Sequence, residues 1–165
     1  MDELVYYPDL RLSAPNRTVS GYTEEMLKRL PGMFEIMCQH KGVGLAAPQI
    51  GWNIRLFVMN PTPEDRNNER IFWNPQVTTS GDFVDQDEGC LSVPGVWGKI
   101  KRWTEVVLTA QTPDGHTIEK FDGFSAKIIQ HEMDHLNGML YFERMMPAER
   151  RRIEPDLKRL RRMGE

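Results

Sequence analysis

The chain has 165 residues, of which 39% are hydrophobic and 27% charged, with a formal net charge of −3. That length fits one domain with a core of its own, and the slightly acidic balance offers no overall attraction to nucleic acid. A mean hydropathy of −0.53, with apolar runs no longer than stretches such as Ile54 to Met59, excludes a helical membrane span.

The opening Met1-Asp2-Glu3-Leu4 is acidic and lacks an apolar stretch, so no secretory signal is expected. Residues 1–20 read as irregular, punctuated by Pro8 and Pro15. Thr23 then caps a helix, with Glu24 and Glu25 in its favoured first turn. Met26, Leu27, Leu30, Met33, Phe34 and Met37 follow at helical spacing, and Pro31-Gly32 predicts either a kink or two short helices. Cys38 sits among these apolar neighbours and reads as a core residue; pairing with Cys90 is not expected in a reducing cytosol.

Gly42 to Gly51 reads as a Gly-rich turn, and Ile54 to Met59 as a buried strand. Pro61 to Asn68 is a polar loop. Ile71-Phe72-Trp73 predicts a strand closed by Asn74-Pro75, and Val93 to Lys101 an extended segment. Glu105–Gln111 and His116–Phe121 flank Thr112-Pro113-Asp114-Gly115 and predict an antiparallel hairpin. Asp122 caps a helix that runs to about Leu136, ended by Asn137-Gly138. Pro147 starts a last helix that Pro155 breaks or bends. These elements amount to an α+β fold, an antiparallel sheet wrapped around one central helix.

The chemistry centres on His131-Glu132-Met133-Asp134-His135. Residues four apart share a helix face, so both imidazoles can reach one divalent metal, with Glu132 beside it as a general base. A catalytic site of this kind needs a third protein ligand and an open position. Glu143, Glu149 and Glu154 are downstream candidates, but Cys90 within Glu88-Gly89-Cys90-Leu91-Ser92 is the better one. A thiolate with two imidazoles suits zinc or ferrous iron, and Gly89 lets the backbone come close to metal or substrate. A third segment, Gly42-Val43-Gly44-Leu45-Ala46-Ala47-Pro48-Gln49, has small residues against which an extended ligand can lie. Its Gln49 offers an amide donor for a developing oxyanion.

These three segments, the last taken as Gln130-His131-Glu132-Met133-Asp134-His135-Leu136, strongly resemble the motifs of the peptide deformylase family. That family carries G-x-G-L-A-A-x-Q, E-G-C-L-S and Q-H-E-x-D-H-L in this order; all three are intact, and their spacing covers nearly the whole chain. Tyr7-Pro8-Asp9-Leu10-Arg11-Leu12 and Asn74-Pro75 also look like the family. There are two departures. Pro31-Gly32 interrupts a helix that is usually continuous, and Trp97 and Lys127 lie where the family's side-chain pocket varies.

The resemblance implies antiparallel β-sheets around a central metal-binding helix, with N-terminal and C-terminal helices, and residues 1–165 as a single catalytic domain. It implies a hydrolase that removes the N-formyl group from the starting methionine of new polypeptides. Cys90, His131 and His135 would hold one divalent ion, ferrous iron first, with zinc, nickel or cobalt as alternatives. Glu132 would take the water proton and pass it to the leaving amine, while Gln49 and the backbone N–H of Leu91 stabilise the oxyanion. The peptide would lie along Gly44, and Val43, Phe124 and Ile128 would line an apolar methionine pocket. Arg102 would pair with Glu88 behind the site.

The expected partners are formylmethionyl nascent chains and no membrane. A ribosome contact is expected through the basic tail, which holds Arg144, Arg150-Arg151-Arg152, Lys158 and Arg159-Leu160-Arg161-Arg162. The expected location is a bacterial-type cytoplasm, with a processed organelle form left open. The competing readings are a metalloprotease and a catalytically silent peptide- or ribosome-binding module; Glu132 and Gln49 argue against silence, since a structural metal site needs neither.

Overall fold

In the computed structural model, which describes residues 1–164, one five-stranded antiparallel sheet is wrapped by three α-helices. The strands β1 (Gly44–Ala46), β2 (Leu56–Met59), β3 (Arg70–Cys90), β4 (Val93–Thr112) and β5 (Gly115–Asp122) lie side by side in chain order. The helices are α1 (Glu24–Gln39), α2 (Gly123–Leu136) and α3 (Pro147–Met163).

The unbroken apolar run of β2 follows from its place between two helices. Side chains alternate across a strand. Leu56 and Val58 join Met26, Leu30, Met33 and Met37 of α1 in one core. Phe57 and Met59 join Phe72, Val106, Leu108 and the α2 residues Ala126, Ile129 and Leu136 in another. A strand covered on both faces therefore reads as continuous rather than alternating. The long β4 is covered on one face only, and alternates accordingly: Val96, Ile100, Val106, Leu108 and Ala110 point inward. Its first half packs with Leu140, Phe142, Ile153 and Leu157 in a third core under α3. Each large apolar side chain so buried contributes roughly 1.5–3 kcal/mol.

Several expectations change. Pro31-Gly32 does not divide α1, and Pro155 does not break α3. Both prolines stand on the solvent side while Leu30, Met33, Ile153 and Leu157 are buried. The missing backbone bond falls away from the core contacts that hold each helix. Cys38 is exposed, because it lies off the buried face formed by Met33, Phe34 and Met37. Asn74-Pro75 does not close a strand. β3 runs through it, with Asn74 at φ 50 and the pairing to β4 shifted between Trp73 and Gln76, which is a bulge. The amide of Asn74 bonds both backbone groups of Val19 there. Asp122 occupies the cap position of α2, but its side chain makes no capping bond. The Gly42–Gly51 turn holds β1 and a short 3₁₀ turn over Ala47–Ile50. The β4–β5 hairpin forms where expected, with Thr112 opposite Gly115.

Two backbone features frame the site. The N-terminal segment is strapped across it, since Val5 N–H donates to Gln49 O at 2.7 Å and Tyr7 N–H to Ser92 O at 2.8 Å. At the end of α1, Gly42 N–H bonds Met37 O and Lys41 N–H bonds Cys38 O, a Schellman ending. Its left-handed position, normally glycine, is Lys41 at φ 56. A left-handed non-glycine residue costs about 1–2 kcal/mol.

Candidate active site

α2 supplies two ring nitrogens and a carboxylate. His131 and His135, one turn apart, bring their Nε2 atoms to 3.2 Å of each other. Cys90 ends β3, and the turn through Leu91 and Ser92 that starts β4 sets its Sγ 3.3 Å from His135 Nε2. The ligand atoms of Cys90, His131 and His135 all lie within 4.8 Å of one another. A tetrahedral ion with metal–nitrogen bonds of about 2.0–2.1 Å and a metal–sulfur bond of about 2.3 Å would hold such donors roughly 3.3–3.6 Å apart. Two sides of the observed triangle, 3.2 and 3.3 Å, match that geometry, so these residues fit a divalent metal. Glu143, Glu149 and Glu154 do not join it. Glu143 accepts from Leu140 N–H, Glu149 from Lys99 N–H, and Glu154 pairs with Arg150 and Arg161.

The charges behind the triangle explain why it is electron-rich. Glu88 Oε1 meets His131 Nδ1 at 2.5 Å, which leaves Nε2 facing Cys90 and His135 as a donor to metal. Burial alone would push the Glu88 carboxyl up. The bonds from Arg102 and His131 outweigh it and hold the group down at about 2. Arg102 donates to both Glu88 oxygens at 2.8 and 2.9 Å and to Asp134 Oδ2 at 2.7 Å. Arg144 in turn grips both Asp134 oxygens at 2.7 Å. Burial pushes His135 well below its ordinary range, so it is neutral and free to ligate. For His131 burial acts the same way, but Cys90, Glu88 and Glu132 overcome it and raise its pKa well above the ordinary range. The two rings thus differ: the surroundings of His131 favour positive charge, and those of His135 disfavour it.

Glu132 is buried at the base of the cavity with its Oε2 unpartnered among the described residues. Burial raises its carboxyl to about 7, against the pull of His131. Gly44 makes room for it, because a Cβ there would lie 2.6 Å from Glu132 Oε1. The amide of Gln49 is fixed in orientation: Oε1 accepts from Ala46 N–H at 2.9 Å, while Nε2 lies 3.1 Å from Ser92 Oγ and 3.6 Å from Cys90 Sγ. Gln49 therefore faces the sulfur with donors.

A cavity of about 500 Å³ opens over the triangle, and Val43, Gly44, Gly89, Leu91, Phe124 and Ile128 all line it. Ile128 is buried and Phe124 stands at the rim, 55% exposed. Gly89 serves a purpose besides close approach of a ligand, since a Cβ there would strike the Trp97 ring at 2.8 Å. The sequence reading missed Asp134 and Arg144. Asp134 lies inside the helix motif itself. Arg144, counted among the tail cations, binds Asp134 instead.

Comparison with known proteins agrees with this geometry. The family model described as polypeptide deformylase matches residues 1–151. The chain belongs to the polypeptide deformylase family. It is 39% identical to a peptide deformylase of Chromobacterium violaceum over 157 residues, covering 94% of this chain and 93% of that one. Among solved structures it is similar to the peptide deformylase of Plasmodium falciparum, with TM-score 0.93, 35% identity and coverage of 98% and 96% of the two chains. It is also similar to Arabidopsis thaliana peptide deformylase 1B in complex with an inhibitor, with TM-score 0.94, 36% identity and coverage of 99% and 92%. The deformylases thus share the α+β architecture along nearly the full chain.

Proposed function

We propose that this chain is a metal-dependent hydrolase that removes the N-formyl group from the N-terminal formylmethionine of new polypeptides, with residues 1–165 acting as one catalytic domain. The observation that carries the reading is the Cys90–His131–His135 triangle with Glu132 buried beside it. Cys90, His131 and His135 would hold the ion, which when bound supplies Lewis acidity that polarises a carbonyl and acidifies water. Glu132, with a carboxyl near 7, takes the proton of the attacking water and delivers it to the leaving amine. Gln49 Nε2 and the Leu91 backbone N–H donate to the oxygen on which charge develops.

β1 lies at the edge of the sheet, so an extended peptide adds beside Gly44 as a further strand. The methionine side chain then enters among Val43, Phe124 and Ile128. Formate release from formyl-Met peptides, run beside an internal-peptide cleavage assay, tests the reading; cleavage without formate would make the enzyme a protease. Gln49→Leu should lower kcat by roughly 10²–10³ with less change in KM.

Ferrous iron is the ion this reading favours, with zinc, nickel and cobalt compatible with the same donors. Metal analysis of anaerobically prepared protein decides between them. Cys38, being exposed, is an internal control for oxidation that does not depend on the metal.

The cytoplasm is the proposed location, and a ribosome contact is proposed through α3. Most of its cations are paired internally: Arg150 and Arg161 with Glu154, Arg152 with Glu149, and Arg159 with Asp156. Arg151, Lys158 and Arg162 have no ion pair among the described residues, and their spacing places them on one helix face. Removing α3 would strip Ile153, Leu157 and Leu160 from the third core, so charge reversal is the cleaner test. Arg151→Glu, Lys158→Glu and Arg162→Glu together should weaken salt-sensitive ribosome binding while small peptides are deformylated as before.

A further inference from the structure

The Glu88 carboxylate holds the His131 ring, and it has one more partner than the chemistry above has used. An ionised carboxylate offers about four acceptor sites, two on each oxygen. Oε1 takes His131 Nδ1 at 2.5 Å and Arg102 Nη2 at 2.8 Å. Oε2 takes Arg102 Nε at 2.9 Å, and its other partner is the side-chain amide of Gln86. Since the carboxylate can only accept, the amide nitrogen of Gln86 is the end that meets it. The strand places Gln86 there. Residues two apart on β3 share a face, so Gln86 and Glu88 project together. The facing positions on β4 are Ile100, opposite Gln86, and Arg102, opposite Val84. The partners of Glu88 differ in where they stand. Arg102 is buried behind the site and His131 belongs to the metal triangle, whereas Gln86 is half-buried and lines the cavity. Gln86 therefore fills, from the cavity side, an acceptor site that water would otherwise take.

We propose that Gln86 is a positioning residue that acts through Glu88 to hold the His131 ring in place for the metal, an assignment that rests on the metal site of the deformylase reading above. Arg102 grips both carboxylate oxygens with a rigid fork and fixes the carboxylate from behind. Gln86 adds a donor on the side that faces the cavity. With both in place the carboxylate stays turned towards His131 Nδ1, and Nε2 of that ring stays aimed at Cys90 and His135. Without the Gln86 amide, water from the cavity competes at Oε2. The wetter surroundings weaken the Glu88–His131 bond, and the ring is free to swing out of the triangle.

The test is Gln86→Met, which keeps the length of the side chain and removes the donor. Enzyme loaded with cobalt and challenged with excess EDTA should lose its metal about three- to tenfold faster in the variant. Removing a partner that touches a ligand directly costs about 10–100-fold, and Gln86 acts one step further out. The visible bands of the cobalt protein, which follow ligand geometry, should shift as well. With formyl-Met-Ala-Ser as substrate the loss should fall in kcat, with KM little changed. Gln86→Lys keeps a donor of similar reach, so it should hold cobalt longer than Gln86→Met. Phe124→Ala is the contrast: it opens the same cavity without touching Glu88, so it should raise KM and release cobalt at the wild-type rate. Cobalt release from Gln86→Met at the wild-type rate overturns the proposal. So does equally fast release from the Lys and Met variants, or a change confined to KM, which would make Gln86 only a wall of the cavity. Absence of formate from the wild-type enzyme would instead refute the deformylase reading, and the cobalt release rates would still decide the role of Gln86.

Discussion

Glu132→Gln is expected to abolish most turnover while leaving metal content intact. Removing a positioned acid–base group typically lowers the rate by roughly 10²–10⁴-fold. Here the loss should be in kcat, since Glu132 acts on the proton in flight and not on the methionine side chain. The same substitution should stabilise the metal-free protein. A carboxyl raised from 4.5 to about 7 by burial costs the folded state nothing while it stays protonated below 4.5. The penalty grows as pH rises through that window and reaches a few kcal/mol above 7. Urea titrations should therefore find the variant more stable than wild type above pH 7, and little different below pH 4.5. Full activity with bound metal, or a loss of stability at high pH, would refute the role given to Glu132.

Arg102→Met should be the most damaging change away from the reacting atoms. The guanidinium is buried between Glu88 and Asp134, and its removal leaves two enclosed carboxylates without their shared cation. Breaking a buried ion pair in this way costs roughly 3–5 kcal/mol. The pH dependence follows from Glu88, whose carboxyl is lowered to about 2 from 4.5. Its stabilisation is present in full above 4.5 and is lost as pH falls through about 2. The deficit of the variant, measured by chemical denaturation, should accordingly be largest near neutrality and shrink towards pH 2. Metal affinity should fall as well, because Glu88 then has less hold on the His131 ring. A variant as stable as wild type at pH 7 would mean that the network is ornamental.

Much of the site was legible because its chemistry is local in sequence. His131, Glu132 and His135 declare themselves by helical spacing, and Cys90 by the segment around it. Glu88 and Arg102 entered only through the family resemblance. The Asp134–Arg144 clamp was not legible, because a cation ten residues past Asp134 looks like any other tail charge until the chain turns back. Cys38 misled for a related reason: apolar neighbours in sequence are not neighbours on a helix face. The breaks at Pro31 and Pro155 were over-read because backbone rules speak of a lost hydrogen bond and are silent about the core contacts that outweigh it. The double-sided burial of β2, by contrast, was visible as an unbroken apolar run.

The strap formed by Val5 and Tyr7 ties the carbonyls of Gln49 and Ser92. Residues 5 and 7 thus become clasps on two loops that lie forty and more residues further along the chain. An enzyme built this way completes its reaction centre only when this upstream segment has found its place. Removing residues 1–7 should leave every reacting side chain present and the two loops unregistered, so that turnover falls although the chemistry's own groups are intact.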